Sequence, residues 1–197
     1  MARPPEPEKR RDLARRAIRV LRHEGLDLSM SRLAEILEVK RPTLLYHFST
    51  KGQIVEEALE DMLTEQAGQV VAAIAEQRHP IDRLYAQMKA VHAFHHGNEG
   101  YALFLGQAIA TSSQDRMAAI IDIGNRVFQA HRNAQADAVR QGIADGLVHD
   151  CDVDALMATL RAVQDGLMVQ RVMNGLDLAP VHEFIWEHVL RPLKRND

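Results

Sequence analysis

Arg41, Pro42, Thr43, Tyr46 and His47, with Lys51 just beyond, place a guanidinium, an aliphatic ring, a hydroxyl, a phenol, an imidazole and an ammonium within one short stretch. Arginine forks onto guanine N7 and O6, and proline and threonine pack on thymine methyls. Tyrosine, histidine and lysine reach phosphate oxygens, which fixes register without reading sequence. The set therefore suits the reading and gripping of duplex DNA. It works only if these side chains leave one side of a helix whose other side is anchored. Leu33, Leu37, Val39, Leu44 and Phe48 supply that anchor as a small apolar core. Spacing alone also allows a three-helix fragment packed on a larger body.

The elements that must position them follow from apolar periodicity. Three prolines in residues 1–8 predict a flexible N-terminal arm. Leu13, Ala14, Ala17, Ile18 and Leu21 form one stripe of a helix over 9–24, closed by Gly25. Ser29 is the expected N-cap of a short second helix. A third begins near Arg41, with Pro42 where a missing N–H is tolerated, and ends near His47. About four residues join the second and third, the tight link of a helix-turn-helix. Thr50 and Gln53 fit a capping box opening a long helix to about residue 77. Further helices are expected over 81–96, 100–110, 115–145, 152–174 and 180–191, with no strand. The fold class is all-α: a helix-turn-helix domain over 1–52 and a second helical domain over 53–197.

Charge agrees with this division. Residues 1–52 hold 12 basic and 7 acidic side chains, a balance of +5, while the remainder holds 12 and 20, a balance of −8. A basic end on an acidic body suits a polyanionic partner. The 197 residues are 46% apolar and 26% charged, which excludes a disordered chain. No apolar run approaches a membrane span and no secretory leader is evident, so a cytoplasmic protein is expected. Cys151 alone makes neither a disulfide nor a zinc site.

The stretch from Ser29 to Lys51, and within it Arg-Pro-Thr-Leu-Leu-Tyr-His-Phe over residues 41–48, resembles the DNA-binding segment of the TetR family of bacterial transcriptional regulators. The resemblance implies an all-helical homodimer of this length. It also implies that Arg41 reads a base and that Pro42 and Tyr46 pack on base methyls. Thr43, His47 and Lys51 would contact the backbone, and Ser31 a phosphate or base. Two positions depart from the pattern. Glu38 stands where the family usually has glycine in the turn, and a non-glycine residue at positive φ costs roughly 1–2 kcal/mol. Leu45 replaces a usual tyrosine and removes a hydroxyl.

Two stripes near the C-terminus, Leu156, Leu160, Val163 and Leu167, then Val181 and Ile185, have helical spacing. The resemblance makes them the dimer interface, and they also suit an ordinary core. It places Met62, Met88, His92, Tyr101, Phe104, Phe128 and His131 on the helices that enclose an effector cavity. His92 or His131 is the expected orienting polar contact, and core packing is the competing reading for each residue. His92 and His96 have metal-ligand spacing, but nothing completes a motif, and no metal or other cofactor is expected. No phosphate loop, nucleophile elbow or paired carboxylate is present, so the chain is not expected to be an enzyme. The function expected is a DNA-binding transcriptional regulator, a repressor released from a palindromic operator by a small molecule. The alternative is a helical metal- or metabolite-binding protein that does not regulate DNA.

Overall fold

A computed structural model describes residues 6–111 and 114–195. Leu13, Ala14, Ala17, Ile18 and Leu21 are all buried along α1 (Pro7–Glu24), as their spacing requires. Of the expected arm, residues 1–5 lie outside the described residues. The helix begins two residues earlier than expected, because Pro7 takes the first helical position, where no N–H is needed. α2 (Met30–Ile36) is capped by Ser29, whose side chain accepts from the Arg32 N–H at 3.2 Å. α3 (Arg41–His47) follows after four residues. In that link Glu38 adopts φ 57, the one positive-φ non-glycine residue among the described residues.

α4 (Lys51–Ala75) opens on Thr50, whose hydroxyl accepts from the Gln53 N–H at 3.3 Å. The Gln53 side chain reaches one residue further back than a capping box does, accepting from the Ser49 N–H at 2.8 Å. α5 (Pro80–His95), α6 (Glu99–Ala110), α7 (Gln114–Ala144) and α8 (Val153–Asn174) lie within a residue or two of expectation. α9 (Leu178–Ile185) starts before Pro180, because Asp177 caps it and a proline in the first turn loses no helical bond. It then runs into a π-helical turn over Trp186–Leu190 rather than continuing as α-helix. Among the described residues no strand forms, only a single bridge between Val148 and Lys194.

Packing groups the chain into two compact units. The first comprises residues through Thr64 with Tyr101–Val127, and the second Glu65–Gly100 with Phe128 onward. The expected 1–52 segment lies wholly in the first. That unit's core joins α1 residues to Leu33, Leu37, Leu44, Phe48, Ile54 and Ala58, all nearly or fully buried; Val39 is only half-buried. The second unit packs Ile81, Leu84 and Met88 of α5 with Val139, Val148, Ile185 and Leu190. Gly142 permits this packing, since a Cβ there would meet Pro80 Cγ and Val148 Cγ2 at 2.8 Å.

The left-handed Glu38 yields a stability prediction. Glu38→Gly relieves the Cβ clash and should raise unfolding free energy by about 1 kcal/mol. Urea denaturation of the two proteins checks this, and an unchanged or lower midpoint would contradict it.

Candidate nucleic-acid interface

The inner side of α3 is Leu44, fully buried, followed by Phe48, also fully buried. Helix geometry then turns Arg41, Pro42, Thr43 and Tyr46 outward, and all four are exposed, as is Ser31 on α2. These residues form one outward group on the helix-turn-helix.

Cations from α1 hold this pair of helices at their carbonyl ends. Arg10 Nε pairs with Glu57 Oε2 at 2.6 Å, its Nη1 donates to the His47 carbonyl at the end of α3, and its guanidinium lies 4.4 Å from the Phe48 ring centroid. Arg16 Nη2 donates to the carbonyl of Leu37, the C-cap of α2, at 2.6 Å. The unpaired carbonyls and negative dipole end of each short helix are thereby satisfied. Sequence reading treated these arginines only as positive charge. The signal was their place near the buried stripe, where a long side chain can fold inward.

His47 is half-buried, its ring edge-on to Tyr46 with centroids 5.2 Å apart. Burial, then the nearby Arg10 and Lys9, hold its pKa below the ordinary histidine value. The ring is therefore neutral at pH 7, and its Nδ1 is buried with no hydrogen-bond partner. An unsatisfied lone pair costs less there than an unsatisfied N–H, so the proton belongs on Nε2, which can donate to phosphate. Lys51 Nζ donates to the Leu26 carbonyl, which ties the start of α4 to the loop after α1. Two of its three N–H groups remain for a phosphate.

Of the residues grouped as an effector lining, Met62, Tyr101 and Phe104 belong to the first unit, and Met88, His92, Phe128 and His131 to the second. Met62 and Met88 are buried. Tyr101, Phe104 and Phe128 are half-buried. His92 is already engaged: its Nε2 lies 2.8 Å from the Gln164 carbonyl and its Nδ1 2.8 Å from His182 Nε2. A carbonyl only accepts, so His92 carries its proton on Nε2 and accepts from His182. His131 Nε2 contacts Gln87 Oε1 at 3.0 Å, and His95 Nε2 contacts Gln66 Oε1 at 3.2 Å. His96 meets Arg171 instead, so His92 and His96 serve different partners. Burial is the first cause that lowers the pKa of His92, His95 and His131, and it pushes His182 down to about 4.

Leu156, Leu160, Val163, Leu167 and Val181 are half-buried against the second unit's own core, and Ile185 belongs to that core. The large apolar side chains that α8 and α9 turn outward are Val172, Met173 and Phe184, with Val189 just after. Sequence periodicity could not choose between these sides, since both stripes are apolar. A groove of about 680 Å³, also unforeseen, runs past Tyr85, Lys89, Trp186 and Lys194.

A seven-residue helix with base-reading chemistry outside, carried by a three-helix head on an all-helical chain, defines a helix-turn-helix DNA-binding regulator. Residues 13–58 match the model of bacterial regulatory proteins, tetR family. The HTH-type transcriptional repressor KstR2 of Mycolicibacterium smegmatis is 26% identical over 167 residues, covering 80% of this chain and 77% of that protein. The ketosteroid transcriptional regulator KstR2 of Mycobacterium tuberculosis has the same fold, with a TM-score of 0.65 at 20% identity over all of both chains. FadR of Bacillus subtilis, solved with stearoyl-CoA, gives a TM-score of 0.73 at 16% identity, covering 90% of this chain and 96% of that one. The chain thus carries over residues 13–58 the DNA-binding segment that marks the tetR family of regulators, and it shares the fold of the solved regulators.

Two predictions follow from this geometry. Arg41→Ala should cost about 1–3 kcal/mol at the cognate site and relax preference at one base pair, read by competition binding. Equal loss on all sequences would remove Arg41 from base reading. The lowered histidines bind protons more readily in the unfolded chain, so stability should fall as pH drops from about 6.5 toward 4. His182→Gln keeps a donor for His92 and should flatten that fall, measured as urea midpoints against pH.

Proposed function

We propose that this regulator is a repressor that binds a palindromic operator as a homodimer and leaves it when a small molecule binds. Residues 1–52 serve as the reading head and 53–197 as the effector and dimer body. The observation that carries the reading is the exposed set Arg41, Pro42, Thr43 and Tyr46 over a fully buried Leu44 and Phe48. In it Arg41 reads guanine, Pro42, Thr43 and Tyr46 pack on methyls or meet phosphate, and Ser31, His47 and Lys51 hold the backbone. Symmetric half-sites are met by a two-fold dimer. Phe184, 61% exposed, and Met173, 71% exposed, favour an isologous contact through α8 and α9.

Repression is supported by the name of the mycobacterial relative, and effector control by the ligand of the Bacillus FadR structure. An apolar acyl or steroid-like effector is the class those relatives favour. Met88, His92, Phe128 and His131 of the second unit are the side chains proposed to meet it. Release requires that the ligand bind a second dimer geometry better than the DNA-bound one.

The test is binding to DNA upstream of the chain's own gene across a salt series, with stearoyl-CoA as the effector probe. A specific site whose affinity falls steeply with salt supports the regulator. Release on adding the probe supports effector control. Binding without sequence preference would count against the proposal. Met173→Glu with Phe184→Glu should give folded monomers by sedimentation that bind the operator at least about tenfold more weakly. A dimer that survives both charges lies elsewhere on the surface.

A further inference from the structure

α1 carries six arginines, and they divide by direction. Arg10 and Arg16 turn to the carbonyl ends of α3 and α2. Arg15, Arg19 and Arg22 recur at i, i+4 and i+7, a common flank of the helix. That flank faces away from the helix-turn-helix: Arg15 pairs with Asp61 of α4, and the Arg22 guanidinium lies 5.5 Å from the ring centroid of Tyr101 on α6. Adjacent residues Arg15 and Arg16 thus serve opposite neighbours. Among the described residues neither Arg19 nor Arg22 has a carboxylate partner. Asp61 answers one of three cations, so the flank keeps an excess of about two positive charges, with Tyr101 half-buried at its centre.

We propose that Arg15, Arg19, Arg22 and Tyr101 form a binding site for the pyrophosphate-like head group of a small molecule. Guanidinium forks match phosphate oxygens in a bidentate way that the ammonium of lysine does not reproduce. Arg19 and Arg22, three residues apart, are separated by about 4.5 Å along the helix axis, the span of two linked phosphates. Burial and Asp61 raise the Tyr101 pKa, so its hydroxyl stays protonated and donates to an anion. The hydroxyl has no other hydrogen-bond partner among the described residues. The site's regulatory use rests on the effector reading above, but its occupancy does not.

The test uses the full chain at low salt, titrated calorimetrically with inorganic pyrophosphate and, separately, with coenzyme A. Both probes should bind the wild type. Arg19→Gln with Arg22→Gln should weaken pyrophosphate at least about tenfold, and Tyr101→Phe about threefold, with unchanged melting curves. Coenzyme A binding tighter than pyrophosphate assigns the head group to a nucleotide carrier, and equal binding assigns it to free phosphates. No binding, or binding undiminished in the double variant, overturns the site. A double variant that instead flattens the salt dependence of operator binding, with anion affinity unchanged, gives these arginines to DNA and also overturns it. Loss of ligand-induced release with pyrophosphate binding intact would strike the effector reading alone.

Discussion

A helix of seven residues does not hold together in water, because nucleation costs more than so few backbone bonds return. α3 is that short, and the contact with DNA proposed above depends on it. Its order comes from elsewhere, from Leu44 and Phe48 sunk against α1 and from Arg10 gripping both the helix end and the Phe48 ring. Burial of two such side chains is worth several kcal/mol at about 1.5–3 each. That stabilisation is what lets the outward side be chosen for DNA instead of for folding. Polar or strained choices such as the exposed Tyr46 and the left-handed Glu38 are tolerated on this footing.

The same logic explains the division of labour among cations. Lysine and arginine near DNA are commonly read as phosphate contacts, but here three of them close the head's own backbone accounts. Arg10, Arg16 and Lys51 each donate to a main-chain carbonyl that no helix satisfies. A buried carbonyl without a donor costs about as much as a lost hydrogen bond. The basic balance of this segment therefore has two sources: side chains that meet a partner and side chains that hold the pieces in register.

The second unit buries an unusual number of polar rings and amides for a helical core. His92, His95, Gln66 and Gln135 are all nearly inaccessible. They are tolerated because each has a partner, the His92–His182 pair most clearly. Satisfying them requires neutral imidazoles, and that requirement links this unit's stability to pH. Histidines that the sequence offered as ligand or metal contacts thus have protein partners: His92 has His182 and the Gln164 carbonyl, His131 has Gln87, and His96 has Arg171.

The sequence by itself determined the elements and the outward set on α3. Periodicity, Ser29, Pro42 and Gly25 placed α1 to α3 closely, because caps and apolar stripes are local and each has one physical cause. The outward direction of Arg41, Pro42, Thr43 and Tyr46 followed from the inward direction of Leu44, since one helix has only one buried side. Whether the turn at Glu38 would stay left-handed was open in the sequence, and the structure gives it φ 57. Tertiary structure decided what periodicity leaves open. Apolar side chains fall on more than one side of α8 and α9, so only packing showed that Leu160 and Leu167 face the unit's own core while Met173 and Phe184 face outward. Only packing paired His92 with His182, ninety residues away. It also turned Arg10 and Arg16 inward and, among the described residues, left Arg19 and Arg22 without a carboxylate, because long flexible side chains take their direction from neighbours distant in sequence.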